Sequence, residues 1–165
     1  MGVRSDAVSS LIALLAAGTT FPARLVAGGF TDPPAGRVYY PWLTAADISA
    51  NRPFALIENS EYDWSYVAGG SSNVLWPTIS LSLVLADNDR NTGDFKASAL
   101  DFAGFVDGVI TELAAASGGD GQLSIVAMRE VQPPQFTKPT DQDTDVATYW
   151  STRWLLRCAS VTVGE

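Results

Sequence analysis

No histidine occurs anywhere in the chain. That removes the commonest general base, the commonest metal ligand, and the Ser-His and Cys-His catalytic pairs. Cysteine is nearly absent too: Cys158 stands alone, so no intrachain disulfide can form. It falls on the apolar face of a predicted strand, which fits an inert buried thiol. Lysine is limited to Lys96 and Lys138, so a lysine-based hydrolytic triad has few places to arise. Cations are outnumbered, 10 against 18 carboxylates, leaving a formal net charge of -8. An acidic chain grips phosphates poorly, because affinity for DNA depends largely on Lys and Arg displacing counterions.

What the sequence does contain is a core. Of its 165 residues, 47% are hydrophobic and only 17% charged, which predicts one folded domain over 1–165 rather than a disordered chain. No apolar run is long enough to span a membrane. "LIALLAA" after Arg4 loosely resembles the apolar part of a signal peptide, but it is short and Asp6 is badly placed for one. Val8, Leu11, Ile12 and Leu15 instead follow the spacing of one helical face, predicting an amphipathic helix over 6–17 that Ser5 caps and Gly18 ends. "MGVRSD" also lacks the Ser or Thr that myristoylation needs at position 6.

Further along, "TFPARLVAG" reads as a short strand ending at Gly28 and Gly29, and "TDPPAGR" as a turn. "TAAD", Thr44 to Asp47, reads as a capping-box start of a very short helix. Phe54–Val67 closes in period-two alternation, with Tyr62, Trp64 and Tyr66 against Glu61, Asp63 and Ser65. After "GGSS", Ile79, Leu81, Leu83 and Leu85 alternate with Ser80, Ser82 and Val84, which predicts a hairpin with one buried face. A long helix begins near Asp94, its stripe formed by Phe95, Ala99, Phe102, Val106, Val109 and Leu113, with Phe105 and Ile110 widening it. Lys96, Asp101, Asp107 and Glu112 lie away from that stripe. A strand over 122–131, a proline-bearing acidic loop over 133–145 and a final strand complete the chain.

This order predicts an α+β fold: a mainly antiparallel β-sheet with two α-helices packed on one face and a long loop before the C-terminal strand. A more open β-rich domain with a projecting first helix is the alternative.

Candidate sites are few. Asp87, Asp89 and Asn91 alternate, as do Asp141, Asp143 and Asp145, a spacing of oxygen ligands that suits calcium. An EF-hand loop also needs Gly at its sixth position and Glu at its twelfth. Those positions hold Thr92 and Ser98 in the first loop, Val146 and Thr152 in the second. Both read instead as solvated turns, the first also capping the long helix. "AGGSSN" and "SGGDGQ" lack the spacing and the Lys of a phosphate loop. No catalytic, cofactor-binding or metal-ligating set emerges.

Aromatics and arginines carry the positive signal. In the final strand, Trp150, Thr152, Trp154, Leu156 and Cys158 fall on one face, and Tyr149, Ser151, Arg153, Leu155 and Arg157 on the other. The second face mixes cations with apolar groups, and aromatics and Arg are enriched at protein interfaces. The candidate interface residues are therefore Tyr62, Trp64, Tyr66, Asp141, Asp143, Asp145, Arg153, Leu155 and Arg157. The acidic loop, or Glu61 and Asp63, offers a patch complementary to the arginines. The loop itself is long for a compact domain and is expected to order at an interface.

The opening helix "SDAVSSLIALLAA", the hairpin "ALIENSEYDWSYV…WPTISLSLVLAD", the helix "DFKASALDFAGFVDGVITELAA" and the last strand "YWSTRWLLRCASVTV" together resemble the tail terminator family of long-tailed bacteriophages, also called tail-completion or head-tail joining proteins. The resemblance covers nearly the whole chain in order of elements. The family has no signature motif, so no functional residue is carried over from it. It implies a non-enzymatic virion subunit of the neck, assembled in the host cytoplasm as a hexameric ring on the last ring of tail tube protein. Such a ring ends tube polymerisation and docks the head-tail connector, or stopper protein, and DNA passes through its lumen without sequence-specific binding. No cofactor and no membrane are implied. Another neck or tail component, such as a head-completion, minor tail or baseplate protein, fits the same composition. A small acidic enzyme or ligand-binding domain is the reading from a different class.

Overall fold

The computed structural model describes residues 3–44, 52–68, 75–91, 93–116, 124–137 and 148–159, with side chains except in 61–68 and 75–77. Helix α1 (Val3–Ala17) begins three residues earlier than the spacing predicts, so Ser5 lies inside its first turn rather than capping it. It buries Ala7, Val8, Leu11 and Leu15. Residues read as a short strand are a second helix, α2 (Thr20–Ala27). Phe21 and Leu25, one turn apart, point into the core. Pro22 does not break this helix, because it stands in the first turn, where a backbone N–H has no intrahelical acceptor to lose. The helix ends in a Schellman motif: Phe30 N–H donates to Leu25 O (3.0 Å) and Gly29 N–H to Val26 O (2.9 Å). Gly29 sits at φ 84°, a conformation that favours glycine.

A short 3-10 turn (Pro34–Arg37) leads into β1 (Val38–Tyr39). Strands β2 (Phe54–Ala68) and β3 (Leu75–Asn88) pair antiparallel, as the hairpin reading requires. The turn joining them, like the short helix expected at 44–47, falls mainly outside the described residues. Helix α3 (Phe95–Ala116) starts where Asp94 Oδ1 accepts the Ala97 N–H at 3.0 Å. Phe102, Phe105, Val106, Val109 and Leu113 of its stripe are buried. Phe95, at the stripe's first position, is 62% exposed.

Strand β4 (Ser124–Thr137) runs six residues past the predicted end at 131, so the connection to β5 (Tyr149–Ala159) begins after Thr137 rather than at Pro133. The sheet order β1-β2-β3-β5-β4 explains how β4 accommodates Pro133 and Pro134. An edge strand has one side without ladder partners, and its register against β5 shifts between Gln132 and Gln135. Among the described strands only β1 and β2 pair in parallel.

The fold is therefore α+β, a mixed five-stranded sheet with a long connection before the final strand. It has three α-helices among the described residues, where two were predicted to pack on the sheet. All three helices contribute to one core with Ala55, Ile57, Ile79, Leu81, Leu83, Leu85, Leu156 and Cys158 of the sheet. Each fully buried leucine contributes roughly 2 kcal/mol of transfer free energy. The opposite face of the sheet carries a smaller cluster, Phe54, Leu56 and Ala86, packed with Tyr39, Leu43 and Val84.

Candidate interaction surface

Strand β5 separates its two faces as its alternation predicts. Trp150, Thr152, Leu156 and Cys158 are buried on the helix side, and Trp154 packs partly buried beside them. Trp150 stacks on Phe102 (centroids 6.0 Å apart, planes 19°) and donates its indole N–H to Ser98 Oγ at 2.8 Å. Burial pushes the Cys158 thiol up to about 12, so it is protonated at neutral pH and a poor nucleophile.

Tyr149, Ser151, Arg153, Leu155 and Arg157 are half-buried on the other face. Strand β3 makes room for the arginines with Thr78, Ser80 and Ser82, which are short and buried beneath that face. Arg153 lies across β3, donating from Nη1 to Ser82 Oγ (3.1 Å) and pairing with the Glu58 carboxylate on β2. One side chain thus links three adjacent strands. Arg157 Nη2 lies 3.5 Å from Thr78 Oγ1. The mixed character of this face has a local cause: the guanidinium heads have acceptors within their own sheet, and their stems cover it. The Arg153 and Glu58 side chains stay 39% and 28% exposed, so the pair is also reachable from outside.

Beside that pair the sheet is concave. A depression of about 230 Å3 is floored by Phe54, Leu56, Val84 and Ala86 and rimmed by Trp42, Leu43, Glu58, Gln132, Tyr149, Ser151 and Arg153. Trp42 is 75% exposed, the most exposed large hydrophobic residue among those described. At one end Arg52 lies 4.4 Å above the Tyr149 ring and donates from Nε to Asn88 Oδ1 at 2.6 Å. Burial lowers the Arg52 pKa, partly offset by Tyr149 and Asp87. The floor is nearly closed to solvent, with Phe54, Leu56 and Ala86 buried, so the reachable part of the depression is its mixed rim and Trp42. Trp42, Leu43 and Tyr149 were not selected from the sequence. Trp42 closes the segment "VYYPW", whose place on the sheet depends on the β1–β2 pairing.

The remaining candidates divide in two. In backbone register Trp64 stands opposite Ile79 and Tyr66 opposite Pro77, and Tyr62 falls in the register shift between Asn59 and Trp64. Their side chains lie outside the described atoms. Asp141, Asp143 and Asp145 lie outside the described residues altogether.

The segment 87–94, which begins in the last two residues of β3, caps α3 through Asp94 as its sequence suggests, but its first carboxylate is not solvated. Asp87 is fully buried and accepts from Arg24 Nε, from Arg90 Nε (2.6 Å) and Nη2 (3.0 Å), and from the Asn88 N–H (2.8 Å). Arg24 also bonds both Asp101 oxygens, at 3.1 and 2.6 Å. Burial alone would lower the Arg24 pKa; its bond to Asp101 and the charge of Asp87 outweigh that and raise it. The Arg24 hydrogen bond in turn holds Asp101 below its ordinary value, against the opposing effect of burial. Asp89 Oδ1 accepts from Ser98 Oγ (2.5 Å) and from the Asn91 N–H (3.1 Å). These carboxylates face arginines, a hydroxyl and backbone amides, so the alternating acidic spacing serves the fold. Among the described residues no group of three or more Cys, Asp or Glu could hold a metal ion. Nor is any single helix there long and apolar enough to cross a membrane.

No protein-family model matches the chain, and a comparison with curated proteins finds no match.

Proposed function

We propose that this protein is a structural, non-enzymatic subunit of a phage neck. It caps the tail tube as a homo-oligomeric, hexameric ring, ends tube polymerisation and presents a docking surface to the head-tail connector. DNA passes through the lumen, where a net charge of -8 disfavours a grip on phosphate. The observation that carries the reading is the face of the sheet opposite the described helices. There the half-exposed Arg153, with Leu155 and Arg157 further along the same face of β5, lines a depression with an apolar floor, a mixed rim and an exposed Trp42. That face supplies one of the two unlike patches that a head-to-tail ring needs. The acidic segment Asp141 to Asp145 supplies the other.

Negative-stain imaging and native mass spectrometry of the purified protein, alone and with tail tube protein, test the proposal. Rings of six on tube ends, with tubes halted at a fixed length, are the expected result. A protein that stays monomeric and leaves tube growth unchanged would refute it.

A further inference from the structure

We draw no further inference here: the strongest candidate, the open groove of about 560 Å3 between α2 and α3 that Ala23, Ala27, Gly104 and Leu100 line beside the Arg24–Asp101 pair, is a mainly apolar surface with nothing in the structure to show what covers it.

Discussion

Asp87 has no contact with solvent, yet it meets two guanidinium groups and a backbone amide. Taking a carboxylate out of water is costly, and the two cations compensate only while the carboxylate is there. Replacing it with Ala leaves Arg24 and Arg90 facing one another with side chains only 12% and 23% exposed. Asp87→Ala should therefore lose about 3 to 5 kcal/mol, read from urea unfolding followed by circular dichroism. Asp101 shares Arg24 through two hydrogen bonds but, at 38% side-chain exposure, is more open to solvent screening. Its pKa is depressed in the folded state, so its contribution is present at neutral pH. That contribution is lost as pH falls below the unfolded carboxyl value, in a window under about pH 4. The Asp101→Asn variant should accordingly show a shallower acid-side decline in unfolding free energy than the wild type. Identical slopes would mean that solvent screens the pair completely.

Helix α2 shows how much of an element is written outside its own residues. Its sequence reads as a strand because Thr, Phe and Pro at its start favour a strand or turn, and the one-turn spacing of Phe21 and Leu25 shows only in the folded helix. Thr19 makes no side-chain cap. The cap comes from α3: the Glu112 carboxylate accepts the Thr19 N–H (3.0 Å), the Thr20 N–H (3.0 Å) and the Thr20 hydroxyl (2.6 Å). No local pattern encodes a cap placed 92 positions away. Gly108 belongs to the same junction, since a Cβ there would lie 2.8 Å from Thr20 Oγ1. Glu112→Ala should cost about 1 to 2 kcal/mol, and Glu112→Gln, which keeps one acceptor oxygen, should recover part of it. Equal loss in both variants would point to packing rather than capping. Strand β4 was misjudged for a related reason. Its register shifts near Val126, Val131 and Pro133 reset the alternation, so Ile125, Met128 and Phe136 all pack on the core without a period of two. The apolar side of the alternation did fall on the core in β5 and in Ile79–Leu85 of β3, where the β3–β5 ladder is regular, but β3 is not the half-buried strand its alternation predicts: Ser80 and Ser82 are buried too, so both of its faces are covered. The long helix was legible because its stripe depends on its own sequence alone.

At the scale of the molecule, the helices occupy one side of the sheet and leave Trp42, Arg153 and the concavity between them on the other. The final strand made that second face conspicuous in the sequence, but not that Arg153 reaches Glu58 across Ser82. This pairing alters what a substitution should do. A half-exposed ion pair contributes about 1 kcal/mol or less to folding, and truncating an exposed Trp leaves no cavity. Trp42→Ser and Arg153→Ala should therefore unfold within about 1 kcal/mol of the wild type, while ring formation and tube capping weaken at least tenfold, the order of loss expected at a contact anchor. Deleting 141–145 tests the opposing patch: capping should fall without a change in unfolding midpoint, and unaltered assembly and tail length would remove the acidic segment from the interface. Charge reversal then joins the two arms. If Arg153 meets the acidic segment of a neighbour, Arg153→Asp should abolish capping, and Asp143→Arg in the same chain should restore part of it, because each ring interface carries both changes. Rescue of the double variant relative to either single variant is a coupling that the intrachain Glu58 pair cannot produce. Independent losses would place Arg153 against the tube, not against the next subunit.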